Sequence, residues 1–396
     1  MDEQLELSVC QNPSPEPALD LLPLIERVGV KCRLRLMRWE SAWNELVRVA
    51  LDRVGPNVSQ IGTTWVGNLA AMDVLRPFTL KEIEALGGSS AFLSSSWETA
   101  LFVDQPQFWA IPWLATSRVI YYWRDLLEQV GINEATAFQS LDHVTETFSR
   151  LYASGVAYPW VTQVNNSFFM LHNLTSWVWG AGGDFVTADG RRTLFNAPEA
   201  RAGLQAYLSL YPYLTPNARE LTDPQVIKLF LDRRAAVTLS GSWLPADLRR
   251  QGAPPELMAR LGAALPPGPA FVGGSNLVVW QSTPYPELAL KLIQALLSPP
   301  VQAEYGQSVG QLPVRLEVLA QPPFSTDPHF QVIVQALKTG RPLPRTPRWG
   351  VVEERLVATL THIVDDLYAQ PEEKLEAIIS KHLDPLARRL DLILAI

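Results

Sequence analysis

The stretch Gln60-Ile61-Gly62-Thr63-Thr64-Trp65-Val66-Gly67-Asn68 decides the fold of this chain. A strand-like apolar run ends at its first glycine, and the residues after the tryptophan are compatible with a helix. In an open α/β sheet, ligands bind in the loops that follow the carboxyl ends of the strands. Two hydroxyls beside an indole in such a loop suit a neutral, hydroxyl-rich ligand, because the ring covers a C–H face while short polar groups pair with hydroxyls. A turn whose tryptophan fills the core fits the stretch equally well.

The residues before this stretch alternate between strand and helix patterns. Residues 5–10 and 32–37 have the composition of strands. Residues 17–28 and 42–54 carry the apolar spacing of amphipathic helices, and Ser41 is predicted to cap the second of them. This βαβαβ order predicts a parallel sheet with right-handed crossovers.

The rest of the chain continues the mixture of strands and helices. Strands are predicted at residues 118–123 and 235–240, and residues 271–280 are predicted to form a turn of small residues that runs into a strand. Helices are predicted over residues 124–130, 141–153, 168–179, 198–210 and 286–297, with another starting at Ser298-Pro299 and two or three more over residues 351–396. After the strand at residues 235–240, Gly241-Ser242-Trp243 repeats the order of glycine, hydroxyl and tryptophan found at Gly62.

Composition narrows the class of protein. The 396 residues are enough for two domains of ordinary size, and 47% apolar with 18% charged residues is typical of a folded globular chain. The net charge of -7 is spread along the sequence, which argues against nucleic acid and against an anionic membrane surface. Cys10 and Cys32 are too few for a disulfide framework or a thiolate zinc site. The five histidines show no metal spacing and no phosphate loop or dinucleotide fingerprint is found, so neither a metal nor a cofactor is expected.

Tryptophan is unusually frequent, with 13 residues in the chain. Most of these must pack in the core. Trp65, Trp113 and Trp243 nevertheless follow predicted strand ends, and Trp177 and Trp179 precede a Gly-Gly turn. The repeated pairing of tryptophan with small and hydroxyl residues in turns favours stacking platforms for a ligand.

Four passages resemble one known family. The chain is similar to the extracellular solute-binding proteins of sugar-type ABC importers, the group that includes maltose-binding protein. The resemblance covers roughly residues 5–320 and rests on the passages at 61–65, 110–127 with Arg118, 235–243, and 273–280 with the later 310–315. They follow the family's order and spacing.

The resemblance implies an α/β fold of two lobes, with a ligand cleft that closes between the lobes by hinge motion. The first lobe would hold residues 1–112 and 273–322, and the second residues 113–272 and 323–396. The hinge would lie near residues 111–113 and 271–274.

Strand-end positions and the resemblance together predict the ligand-binding residues. Trp65 and Trp243 are predicted platforms, and Trp177 or Trp179 a third wall. Arg118 and Arg315 would donate paired hydrogen bonds, with ordinary ion pairs as the alternative reading. The full predicted set is Asn12, Glu40, Thr63, Thr64, Trp65, Trp113, Arg118, Trp177, Trp179, Trp243, Gly274, Ser275, Asn276 and Arg315. For Glu40 the alternative is a solvated carboxylate at a helix start.

The function implied by the resemblance is that of the substrate-binding component of an ABC importer for a mono- or oligosaccharide. Its partner would be the membrane permease, and a monomer is expected. The alternatives are a carbohydrate-active enzyme, a binding protein for a glycerol phosphate or other polar solute, and a protein that has lost transport. An enzyme is not expected, because Glu40, Glu98, Asp104 and Asp184 form no recognisable carboxylate pair and no nucleotide or hydrolase motif is found.

The chain opens Met-Asp-Glu-Gln, without a charged and then apolar leader. We expect an extracytoplasmic location, in the periplasm or as a surface lipoprotein, if a leader was removed, and a cytoplasmic one otherwise.

Overall fold

A computed structural model describes residues 5–11, 20–102, 107–164, 168–346 and 348–395. The chain forms two compact units. Unit 1 consists of Met1–Thr116, Val272–Gln331 and Arg345–Gly350, and unit 2 of Ser117–Phe271, Val332–Pro344 and Val351–Ile396. The predicted boundaries, residues 1–112 with 273–322 and 113–272 with 323–396, stay predictions.

The strands within the described ranges are numbered in chain order. They are β1 (Leu5–Gln11), β2 (Cys32–Arg38), β3 (Val58–Gly62), β4 (Leu75–Arg76), β5 (Ile111–Ser117), β6 (Val119–Trp123), β7 (Tyr158–Val161), β8 (Ala235–Ser240), β9 (Leu261–Ala264), β10 (Phe271–Trp280), β11 (Leu312–Pro313) and β12 (Arg341–Pro342).

The α-helices of the same ranges are α1 (Leu21–Arg27), α2 (Trp39–Asp52), α3 (Val66–Ala71), α4 (Leu80–Ala85), α5 (Ser94–Glu98), α6 (Arg124–Gln129), α7 (Leu141–Ala153), α8 (Phe168–Gly180), α9 (Pro198–Leu208), α10 (Asp223–Leu231), α11 (Leu244–Arg250), α12 (Pro255–Met258), α13 (Pro286–Leu296), α14 (Pro299–Val309), α15 (Leu316–Leu319), α16 (Pro328–Thr339), α17 (Trp349–Ala369) and α18 (Leu375–Leu394). Short 3-10 turns lie at Thr63–Trp65, Ser89–Ala91, Tyr211–Tyr213 and Ala218–Glu220. None of the helices of the described residues is long and apolar enough to span a lipid bilayer.

The sheet of unit 1 has the strand order β11-β5-β10-β3-β1-β2. Strand β1 pairs in parallel with β2 and with β3, as the βαβαβ pattern predicted. Strand β10, which comes about two hundred residues later, pairs antiparallel with β3, so that Ser275 lies opposite Gly62. This late strand therefore lies beside the strand that carries the Thr-Thr-Trp turn.

Buried polar side chains fix the register of these strands. The Gln60 carboxamide accepts a hydrogen bond from the Cys10 N–H at 2.8 Å and donates one to Ser275 Oγ at 3.0 Å. Ser59 Oγ accepts from the Trp280 indole at 2.7 Å. Because buried polar groups are stable only with partners, these bonds favour one pairing of β1, β3 and β10 and hold the end of β3 in place.

Unit 2 is built on a smaller sheet with the order β7-β8-β6-β9. Strand β8 pairs antiparallel with β6 and parallel with β7. Helix α8 is buried from Met170 to Trp179, and helix α9 packs closely against it. At Gly203 of α9, an added Cβ would lie 2.5 Å from the Trp177 carbonyl oxygen, so only glycine allows this backbone approach.

Several predicted element boundaries are shifted by a few residues, including the starts of two helices. Helix α2 begins at Trp39 and not at residue 42, with Arg38 as the extended residue before it. Ser41 is therefore inside the first turn, and its hydroxyl donates to the Glu45 carboxylate at 2.8 Å instead of capping the helix. The segment predicted to start at residue 351 begins at Trp349 and forms two helices.

Candidate ligand-binding site

The Thr-Thr-Trp turn of unit 1 ends in a cluster of three indoles. The Trp65 ring centroid lies 5.7 Å from that of Trp39 and 5.8 Å from that of Trp43, at interplanar angles of 54° and 50°. Trp65 is 9% exposed, and the other two are half-buried. Trp39 and Trp43 were not predicted. Their i, i+4 spacing places both rings on one face of a helix and indicates that they can cluster. The helix predicted from residue 42 does not include Trp39, so this spacing was not recognised.

The predicted first-lobe contacts lie around this cluster. Thr63 and Thr64 are half-buried in the same 3-10 turn as Trp65. Glu40 is exposed in the first turn of α2, next to Trp39, where a carboxylate is favoured by the helix dipole. Asn12 lies outside the described residues.

A glycine lies under the Trp65 ring. An added Cβ at Gly62 would be 3.2 Å from Trp65 Cδ2, so a side chain there would press on the indole. The same arrangement recurs in unit 2, where a Cβ at Gly241 would be only 2.1 Å from Trp243 Cζ3. In both places a glycine at or directly after the strand end leaves room for the following tryptophan to fold back over it.

In unit 2, the guanidinium of Arg118 is packed between two aromatic rings. Its central carbon lies 4.5 Å from the Phe169 ring centroid and 4.7 Å from that of Trp243. Arg118 is buried, and burial lowers its pKa to about 10, although Asp223 and two tyrosines act in the opposite direction. The guanidinium stays charged at neutral pH and supports the Trp243 ring through cation–π contact.

A small polar cavity lies beside Arg118 in unit 2. Its volume is about 10 Å³, enough for roughly one water molecule. Among the residues described, Arg118 Nε, Thr238 Oγ1 and Asn173 Oδ1 are shielded from solvent without a hydrogen-bond partner, and all three residues line this cavity. Donors and acceptors that lack partners in one cavity can bind a water or the hydroxyl of a ligand.

A family model described as bacterial extracellular solute-binding protein matches residues 26–332. The chain belongs to this family. The resemblance read from the sequence is thereby confirmed.

Relatives of this solute-binding protein include two with named sugar ligands. The diacetylchitobiose-binding protein DasA of Streptomyces coelicolor is 23% identical over 363 residues, which cover 89% of this chain and 82% of the relative. The maltotriose-binding protein of Pyrococcus abyssi is 21% identical over 349 residues, with 85% and 71% covered. A crystal structure of an ABC transporter solute-binding protein from Thermotoga lettingae, bound with α-D-tagatose, has a TM-score of 0.84 at 20% identity and covers 99% of this chain and 100% of that one. The predicted two-lobed α/β fold is confirmed.

Three of the tryptophans predicted as ligand contacts pack against other side chains of this solute-binding protein. Trp113 is 0% exposed and stacks on Tyr305 at 5.3 Å, so it fills the core of unit 1. Trp177 is 2% exposed, with its ring against the edge of Tyr207. The Trp179 ring is covered by Arg341, whose guanidinium lies 5.1 Å from the centroid. Trp243, which is 7% exposed, is buried to a similar extent, so a ligand contact at Trp177 and Trp179 stays a prediction.

The predicted hinge and arginine contacts also have protein partners. The Ser275 hydroxyl accepts from Gln60, and the fully buried Asn276 amide donates to the Thr99 carbonyl oxygen. Gly274 has a φ of +132°, and a Cβ there would lie 2.1 Å from the Leu114 carbonyl oxygen. Arg315 donates to the Leu86 carbonyl oxygen at 2.6 Å and pairs with Glu317 at 2.9 Å. All four residues therefore have protein partners or close backbone neighbours in unit 1, and a ligand contact at them stays a prediction.

A buried histidine that the sequence analysis missed lies near Arg118. His172 of α8 stacks on Phe271 with ring centroids 4.0 Å apart, and its Nε2 is 3.5 Å from the Glu353 carboxylate. That distance is longer than an ordinary hydrogen bond. Burial is the largest effect and lowers the pKa of His172, assisted by Arg118 and opposed by Glu353. The ring is therefore neutral in the folded protein.

We expect His172 to make the protein less stable in mild acid. The unfolded chain takes up a proton at His172 as pH falls through about 6.5, while the folded chain resists it, so stability is lost below that pH. The slope has an upper limit of about 1.4 kcal/mol per pH unit for one proton. Urea denaturation of wild type and His172→Phe between pH 7.5 and about pH 5 checks this, and equal slopes for the two proteins would contradict it.

None of the His, Cys, Asp and Glu residues in the described ranges form a group of three or more that could hold a metal ion.

Proposed function

We propose that this protein is the substrate-binding component of an ABC importer and binds a carbohydrate. The observation that carries the proposal is the repeated strand-end tryptophan, Trp65 in unit 1 and Trp243 in unit 2. Each ring folds over a glycine and lies among polar groups, hydroxyls in unit 1 and the Arg118 cavity in unit 2. Indole faces flanked by hydrogen-bonding groups match the apolar faces and hydroxyl edges of a sugar.

Known relatives support the same ligand class. Their names and bound ligands refer to diacetylchitobiose, maltotriose and tagatose, all of which are carbohydrates. The ligand contacts that we propose for this chain are Thr63, Thr64, Trp65, Arg118 and Trp243, with Trp39 and Trp43 added from the geometry. That both units bind one ligand molecule, as the resemblance implies, stays a prediction.

The alternative functions have less support. Arg118 is a buried cation of unit 2, but Asp223 lines the same cavity, and its negative charge disfavours a phosphate ligand. The matching family model describes extracellular solute-binding proteins, which supports a binding protein over an enzyme. We propose an extracytoplasmic location, a membrane permease as partner and a monomeric state in solution.

A thermal-shift screen tests the proposed ligand class. A ligand that binds only the folded protein stabilises it by about 2.7 kcal/mol when its concentration is 100 times Kd. We expect carbohydrates to raise the unfolding midpoint, and glycerol 3-phosphate and polyamines to leave it unchanged. Incubation with the same carbohydrates should release no reducing ends. A screen in which only a non-carbohydrate raised the midpoint would contradict the proposal.

A further inference from the structure

A second cavity lies in unit 2, between one face of α17 and the turn at residues 216–220. Its volume is about 300 Å³. The helix contributes Thr361, Val364, Asp365 and Tyr368, whose spacing of three, four and seven residues places them on one face. No residue that lines this cavity also lines the cavity beside Arg118. It is therefore a separate feature from the proposed carbohydrate site.

The cavity has charged and neutral polar groups in its wall. Arg219 pairs with Asp365 at 2.5 Å, and its guanidinium lies 5.7 Å from the Tyr368 ring centroid. The Asn217 side-chain oxygen accepts a hydrogen bond from Thr215 Oγ1 at 3.0 Å, which leaves its amide N–H groups as donors. Glu220 lines the cavity as a second carboxylate.

One hydroxyl of the cavity wall is buried and, over the residues that the structure covers, lacks a hydrogen-bond partner, which a ligand or a water molecule could supply. Tyr368 Oη is buried and has no hydrogen-bond partner within the described part of the chain. Leaving such a group unpaired is unfavourable, so a bound hydroxyl that pairs with it adds stability. Burial raises the pKa of Tyr368, with Arg219 acting in the opposite direction, and the phenol therefore remains a proton donor at neutral pH.

We propose that this cavity is a second binding site, for a single small neutral polyhydroxylated molecule of sugar or polyol size. Hydroxyl groups both donate and accept, which matches a wall of carboxylates, an arginine, an amide and a phenol. The cavity wall carries one arginine and two carboxylates, Asp365 and Glu220, and this excess of negative charge disfavours an anionic ligand. The volume is at the lower end of the roughly 300–1,000 Å³ found for small-molecule sites, which suits one ring and not a chain of rings.

The test uses D-glucose as the probe and a protein whose proposed carbohydrate site is already impaired by Trp243→Ala. Saturation-transfer NMR titration should show weak, saturable binding of D-glucose to this variant. Adding Thr361→Trp should abolish the signal, because an indole at residue 361 fills the cavity. Ala358→Trp places the same ring at an exposed position of the same helix and should leave the signal unchanged.

A conservative variant tests the hydroxyl directly. Tyr368→Phe should weaken D-glucose binding about fivefold, since one hydrogen bond is lost, while Tyr152→Phe, at a residue that is 62% exposed, should not. D-glucuronate, with a carboxylate on the same ring, should bind at least about tenfold more weakly than D-glucose. Saturable binding that survives Thr361→Trp, no binding of D-glucose at all, or tighter binding of D-glucuronate or D-glucosamine would overturn the proposal.

Discussion

Replacing Trp243 with alanine is expected to weaken carbohydrate binding about thirtyfold, which corresponds to about 2 kcal/mol. The substitution removes the ring that lies over Gly241 and exposes one side of the Arg118 guanidinium, 4.7 Å from the ring centroid. Both the stacking face and the neighbouring polar cavity are changed together. Calorimetric titration with the best carbohydrate from the thermal-shift screen measures the dissociation constant.

Two controls separate loss of binding from loss of folding. Trp243→Phe keeps a ring over the guanidinium and should retain most of the affinity. Circular dichroism of Trp243→Ala establishes that the titrated protein is folded. A folded Trp243→Ala protein with unchanged affinity would show that the stacking platform lies elsewhere.

Replacing Trp113 with alanine is expected to lower the free energy of unfolding by about 3–5 kcal/mol and to leave the ligand dissociation constant unchanged. Trp113 is fully buried and stacked on Tyr305 at an interplanar angle of 15°. In addition, Gln302 donates a hydrogen bond to the Trp113 carbonyl oxygen at 2.8 Å. Alanine leaves a large cavity beside Tyr305, and urea denaturation measures the lost stability.

The matched variant for this prediction is Trp113→Phe. It keeps a stacked ring on Tyr305 and should reduce stability by a smaller amount than alanine. Affinity is measured on the folded fraction at low temperature. If Trp113→Ala abolished carbohydrate binding while remaining folded, the original prediction of a ligand contact at this residue would be right and its assignment to the core wrong.

Much of the fold was predictable because it depends on local patterns. The parallel pairing of β1, β2 and β3 follows from the order of strands and helices in the first sixty residues. The antiparallel position of β10 between β3 and β5 depends on contacts between residues far apart in the chain, for which periodicity gives no signal. The start of α2 was missed because Ser41 resembles an N-cap, whereas its hydroxyl pairs with Glu45 inside the helix.

The candidate site was less predictable than the fold. In the sequence, Trp65 and Trp113 both lie next to strand segments. In the structure, Trp65 belongs to a cluster of partly exposed indoles, whereas Trp113 is buried against Tyr305. The difference depends on which side chains approach from later parts of the chain. His172 and Glu353 illustrate the same limit, because 181 residues separate two groups whose atoms are 3.5 Å apart.

The glycines beneath Trp65 and Trp243 also define how this protein can be redesigned. Any side chain at Gly241 would collide with the indole, and one at Gly62 would crowd it. A mutant library that seeks new ligand preferences should therefore leave residues 62 and 241 unchanged and randomise Thr63 and Thr64, whose side chains are half-buried beside the ring. The two small residues leave room for the rings in their present orientation, so variation at residues 63 and 64 would alter the ligand contacts without displacing the platform.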